Sequence, residues 1–165
     1  AAHMAPLGNR EPGRFGFEHL SDFNRALWEK VRSRARAAEH RPSCPIFASD
    51  IDPKFIAIAR QTAVNARVDS FIEFNTQDFF ASEKPSDSGL LIMNIPYGFR
   101  LGSEDVRPEF MIAVGDKLKA SYKGWRCGIL APTSSPLKAI GLKPNRQTSF
   151  LNGTIPVKFV VFDMY

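Results

Sequence analysis

Apolar and polar positions follow two periods along this chain, one of strands and one of helices. Leu90, Leu91, Ile92 and Met93 form a short unbroken apolar run after Gly89, which breaks into Asn94-Ile95-Pro96-Tyr97-Gly98. Such a run suits a strand buried on both faces of a parallel sheet. Ile46-Phe47-Ala48 predicts a strand running into Ser49-Asp50-Ile51-Asp52-Pro53. Phe71-Ile72-Glu73-Phe74 alternates as a strand and leads to Thr76-Gln77-Asp78-Phe79-Phe80, and Trp125 to Leu130 reads as another.

Between these runs the spacing is helical. Phe23, Leu27, Trp28 and Val31 predict a core-facing stripe on a first helix capped by Ser21 or Asp22. Arg25, Arg32, Arg34 and Arg36 fall on its other face, read as solvated, with an RNA-facing surface as the alternative. Asp52 and Pro53 predict the start of a second helix, with Phe55, Ile58, Ala59, Thr62 and Ala63 along one face. A third is predicted from near Asp105, with Phe110, Met111, Val114, Leu118 and Tyr122 turned inward, and a short one near Pro136 to Ile140. Asn152-Gly153, flanked by Gln147 to Leu151 and Thr154 to Tyr165, is a hairpin signal. The order predicts an α/β fold, mostly parallel with a C-terminal antiparallel β pair, and residues 1–165 as a single domain.

Composition narrows the function classes. With 44% hydrophobic and 24% charged residues, the 165-residue chain is globular. No apolar run approaches the ~20 residues of a membrane span, and the start lacks a signal peptide; the two cysteines fit a reducing compartment, so a cytoplasmic protein is expected. A net charge of +5 mildly favours a polyanionic partner such as RNA. Cys44 and Cys127 each adjoin an apolar run, which predicts buried free thiols. His3, His19 and His40 have no ligand spacing, so no metal is expected.

Three successive predicted strands end in a polar group: Asp50, Asp78 and Asn94. In a parallel sheet such ends lie along one edge, where ligands of open α/β sheets bind. Asp50 suits a ribose diol, and Ile51 an adenine face. Asp78 suits an adenine amino group, with the Phe79 N–H directed at a ring nitrogen. Asn94 would hold the group to be modified. Each has a bland alternative: Asp50 as a helix cap, Asp78 as a turn former, Asn94 as part of a turn.

The run Asn94-Ile95-Pro96-Tyr97 resembles the Asn-Pro-Pro-Tyr motif of S-adenosylmethionine-dependent amino-group methyltransferases. Extended to Gly98-Phe99-Arg100-Leu101-Gly102, it is similar to the RNA guanine-N2 methyltransferases that carry a THUMP domain. Gly13-Arg14-Phe15-Gly16-Phe17-Glu18 with Trp28, Ser49 to Pro53 and Asn152-Gly153 are also similar to that family. The resemblance implies a Rossmann-like methyltransferase sheet, S-adenosylmethionine as cofactor and RNA (rRNA or tRNA) as partner. It implies cofactor contacts at Asp50, Ile51, Asp78 and Phe79, and catalytic roles at Asn94, Ile95, Pro96 and Tyr97. A DNA adenine-N6 or protein glutamine methyltransferase, or a non-catalytic RNA-binding module, is the alternative.

Two departures qualify the resemblance. Ile95 replaces the first proline, which leaves a less rigid loop. No glycine cluster precedes Asp50, where the family has its first strand and Gly-rich loop. The expectation is an N-terminally truncated chain, with its first strand missing, that needs the N-terminal part of the same protein to act.

Overall fold

The computed structural model describes residues 15–95 and 107–165; Pro96 and Tyr97 lie outside the described residues. The chain forms two compact units, Ala1–Ala81 and Ser82–Tyr165.

The first unit is built around a β-α-β crossover. Strand β1 (Ile46–Asp50) pairs parallel with β2 (Ile72–Thr76), and they are joined by helix α2 (Pro53–Asn65). Asp52 is the N-cap of α2, accepting from the Lys54 N–H at 2.9 Å, and Pro53 takes the first turn, where its missing N–H costs nothing. The buried positions of α2 are Ile56 and Ala63. The expected face is therefore rotated: Ile58 is 60% exposed, and Thr62 turns its hydroxyl onto the Ile58 carbonyl.

Helix α1 (Arg25–Ala37) departs further from expectation. Its cap is Asn24, whose Oδ1 accepts from the Leu27 N–H at 2.9 Å, and not Ser21 or Asp22. Leu27 and Val31 are exposed, and the packed side carries Trp28 and Arg32. Phe15 and Phe17 stack with each other and meet Trp28 edge-on, so this aromatic cluster claims the packed side. Arg32 was expected on the solvated face but is buried. Its guanidinium bonds Glu29 at 2.8 Å, so the charge is buried with a partner.

The second unit holds a four-stranded sheet in the order β3-β4-β6-β5. Strands β3 (Gly89–Asn94) and β4 (Trp125–Pro132) are parallel. Strand β6 (Ile155–Asp163) runs antiparallel to both β4 and β5 (Arg146–Asn152). The α/β fold with parallel pairs and a C-terminal antiparallel pair is thus as expected. Helix α3 (Pro108–Ser121) joins β3 to β4 and buries Met111, Val114 and Leu118 completely. Against them the sheet buries Cys127, Ile129, Val160 and Phe162. Each large apolar side chain so buried stabilises the fold by about 1.5–3 kcal/mol.

Strand β3 is not buried on both faces. Leu90 is 60% and Ile92 65% exposed, whereas Leu91 and Met93 alternate toward the more buried side. The hairpin is present, but its two-residue turn is Gly153-Thr154, because Asn152 still pairs with Ile155. Gly153 has φ +63° and Thr154 has no positive φ. A glycine at the first of two turn positions is the type II′ arrangement, which matches strand twist.

Both cysteines are free, but only Cys127 is buried, and burial pushes its thiol up to about 11. Cys44 is exposed, contrary to expectation, because it lies before β1 begins. Since the thiolate is the nucleophile, iodoacetamide at about pH 8 is expected to label Cys44 alone in the native chain and both cysteines after denaturation. Peptide mapping that finds native Cys127 labelled would contradict this packing.

Candidate active site

The strand ends of the first unit are tied together before any ligand is considered. Asp50 ends β1 level with Thr76 of β2, and the Gln77 N–H donates to the Asp50 carbonyl at 3.0 Å. Asp78 follows one residue later, so the two carboxylates stand at adjacent carboxyl ends of a parallel pair. One oxygen of Asp50 accepts from the Asp52 N–H at 2.9 Å, and one oxygen of Asp78 accepts from the Phe80 N–H at 2.9 Å. Both are side-chain-to-backbone turns of the kind Asp favours. The bland readings are therefore real in part: each carboxylate shapes its loop. Asp50 is not the helix cap, a role taken by Asp52.

These turns use half of each carboxylate. An ionised carboxylate has two oxygens with about four lone-pair sites. Among the described residues the second oxygen of Asp50 and of Asp78 takes no hydrogen bond. Next to them Ile51 is 69% exposed, and Phe79 is half-buried with its ring edge-on to Phe80. Two half-used acceptors beside an exposed aliphatic side chain can bind a ligand with a diol, an amino group and a flat apolar face. An open cleft of about 290 Å³ lined by Pro45, Ile46, Phe71 and Ile72 lies at the opposite, amino-terminal end of the same strands.

In the second unit Asn94 is the last residue of β3, exposed and paired in register with Leu130. Among the described residues its carboxamide makes no hydrogen bond. Ile95 behaves differently. Its side chain is completely buried, and its N–H donates to the Leu130 carbonyl at 3.0 Å. A proline here could not make that bond. Isoleucine therefore prolongs the ladder one residue past Asn94, which gives the departure from the Asn-Pro-Pro-Tyr pattern a structural reason. Among the described residues no cluster of His, Cys, Asp and Glu suits a metal, and no helix is long and apolar enough to cross a membrane.

The sequence reading overlooked the end of β4. Because β3 and β4 are parallel, the exposed Thr133 and Ser134 after Pro132 lie at the same carboxyl edge as Asn94. The signal was available in principle, as neighbouring parallel strands place their following loops together.

Comparison with known proteins adds to this geometry. Residues 11–160 match the family model UPF0020, the RMKL-like methyltransferase domain. The chain is 34% identical over 169 aligned positions to the ribosomal RNA large subunit methyltransferase K/L of Shewanella baltica strain OS155, covering 100% of this chain and 24% of that protein. The K/L enzyme of Shewanella sediminis is 35% identical with the same coverage. The chain thus spans about a quarter of the length of these relatives. Among solved structures, a possible methylase from Clostridium difficile 630 superposes with a TM-score of 0.75 at 28% identity, over 98% of this chain and 42% of that one. The SMU.472 protein, solved in complex with SAH, superposes with a TM-score of 0.77 at 24% identity, over 99% of this chain and 42% of that one. With a family match across most of its length, this chain belongs to the RMKL-like methyltransferase domain family.

Proposed function

We propose that the protein is an S-adenosylmethionine-dependent RNA methyltransferase that modifies an exocyclic amino group of a base, guanine N2 in ribosomal RNA. The observation that carries this reading is the carboxamide of Asn94, exposed at the carboxyl end of a parallel strand and without a hydrogen bond among the described residues. The ribosomal RNA methyltransferases similar to this chain favour that substrate class. The net charge of +5 suits an RNA partner.

The first unit fits the cofactor by its donor set. Asp50 would hold a ribose diol with its second oxygen, Ile51 would lie on the adenine, and Asp78 would accept from the adenine amino group. When bound, the cofactor supplies an electrophilic methyl group on a sulfonium centre. Asp50, Ile51, Asp78 and Phe79 are proposed only to bind and orient it.

The chemistry at the amine belongs to Asn94 and its loop. The lone pair of an exocyclic amine is delocalised into the ring, so the amine is a poor nucleophile. The Asn94 Oδ1 and the Ile95 carbonyl would accept its two N–H bonds, drawing electron density onto the nitrogen and fixing its direction. This is positioning with electrostatic assistance. A neutral amide suits the role, because it accepts hydrogen bonds without becoming a competing base. Tyr97, outside the described residues, would stack on the target base once that base has left its helix, with Pro96 stiffening the loop.

The test is mass spectrometry of nucleosides from ribosomal RNA incubated with the full-length protein and methyl-deuterated S-adenosylmethionine. Deuterated N2-methylguanosine is the expected product. Label on adenine N6 would move the assignment to another amine, and RNA left without label would remove it.

A further inference from the structure

The charge of this chain is distributed very unevenly. Residues 117–162 contain eight Lys and Arg and no Asp or Glu, so the remaining residues carry fourteen cations against seventeen acids. The net charge of +5 is therefore +8 over this stretch and −3 over the rest. The stretch runs from the end of α3 through β6, entirely within the second unit.

Within it the β5–β6 hairpin combines charge with exposed aromatic surface. Every residue of β5 is exposed, and its outer edge pairs with no strand among the described residues. Alternation puts Arg146, Thr148 and Phe150 on one face. Near the turn Phe150 is 46%, Leu151 67% and Ile155 42% exposed. Arg146 makes no ion pair among the described residues. Asp163, two residues along β6 from Val161, the register partner of Arg146, is taken up by Arg126 and Asn145.

The register ties this surface to the candidate catalytic group. Asn94 is level with Leu130, and Phe150 is level with Val157, which faces Pro132, two residues beyond Leu130. Phe150 thus lies on the sheet face of Asn94, three strands across and two residues toward the carboxyl edge. At strand spacings of about 4.8 Å and a rise of about 3.3 Å per residue, the separation is roughly 16 Å. That is within a few nucleotides of a base held at Asn94.

We infer that the β5–β6 hairpin is a single-stranded RNA-binding arm, on which Phe150 stacks against a base flanking the target and Arg146 neutralises a phosphate. The inference rests on the RNA reading above. An exposed aromatic on a hairpin that also carries an arginine unpaired among the described residues is the combination that holds single strands, through base stacking and backbone attraction. A second protein chain is a less fitting occupant: Lys119 and Arg126 pair with Asp116 and Asp163, but the remaining cationic excess of the stretch would repel another copy of the same surface.

The experiment uses the full-length protein and a fluorescein-labelled single-stranded oligoribonucleotide of about a dozen nucleotides, read by anisotropy across a salt series. Phe150→Ala is expected to weaken binding roughly tenfold. Phe150→Trp restores it, and Phe150→Leu, apolar but without a ring face, does not. Arg146→Ala lowers the slope of log affinity against log salt by about one, and Phe150→Ala leaves that slope unchanged. S-adenosylmethionine affinity stays at the wild-type value in each variant, which shows that the fold is intact. Wild-type binding by Phe150→Ala, or full rescue by Phe150→Leu, overturns the stacking role. A wild-type protein that methylates ribosomal RNA but does not bind the oligonucleotide overturns the arm and leaves the proposed function standing. A wild-type protein that binds the oligonucleotide but methylates no RNA defeats the proposed reaction instead.

Discussion

Replacing Asn94 by alanine is expected to lower methyl transfer to RNA by about 10²- to 10³-fold, the scale seen when one preorganised hydrogen-bonding group is removed from a transition state. Cofactor affinity should change less than about twofold and stability hardly at all. The reasoning is local. Asn94 is exposed at the end of β3 and its carboxamide bonds no described residue, so its side chain contributes little to folding. What the substitution removes is an acceptor that matters only while the amine is attacking, so kcat falls. Asp50→Ala supplies the contrast. It removes both the turn to the Asp52 N–H and the acceptor proposed for the ribose diol, so cofactor affinity and turnover should fall together. Calorimetry with S-adenosylmethionine, paired with single-turnover methylation assays, separates the two patterns. If Asn94→Ala loses cofactor affinity as steeply as turnover, Asn94 belongs to the donor side of the site and the role argued for it is wrong.

Element type was legible in the sequence because it depends on period and punctuation. Pro53 after Asp52 marks the start of α2, and the inward positions Met111, Val114 and Leu118 of α3 follow from 3.6-residue spacing. Which way a helix turns was less legible when its apolar residues cover a wide arc. In α1 the Phe15, Phe17 and Trp28 rings decided the packed side, leaving Leu27 and Val31 exposed and drawing Arg32 inward with Glu29. An aromatic cluster between a loop and a helix is a tertiary fact that helical periodicity does not contain. Strand β3 shows the same limit, because an unbroken apolar run does not reveal whether one face or two are covered. Asp50 and Asn94 end β1 and β3, each in its own unit, and Asp78 lies two residues past the end of β2. The half-use of each aspartate by its own loop, and the ladder bond that Ile95 makes and proline could not, required coordinates.

Gly115→Ala is expected to destabilise the protein by about 3 kcal/mol, at the upper end of what overpacking costs. Helix propensity alone predicts the opposite sign, because alanine is favoured over glycine in a helix interior by about 1 kcal/mol. Packing decides the outcome. A Cβ at Gly115 would lie 2.0 Å from the Ile140 carbonyl oxygen and 2.8 Å from its carbon. Those atoms are backbone, in the 3-10 turn Leu137–Ile140, and Ile140 is itself completely buried. Relief therefore requires α3 and the turn to part, opening contacts along a helix that buries Met111, Val114 and Leu118 against the sheet. Against a typical stability of about 5–15 kcal/mol, this is a large fraction of the total. The exposed Ala113, two residues earlier in the same helix, provides the control. Ala113→Gly should cost only the propensity difference of about 1 kcal/mol. Urea denaturation resolves the two, with a lower midpoint at an unchanged slope expected for both variants. If Gly115→Ala raised the midpoint, the close approach of α3 to the turn after β4 would be wrong.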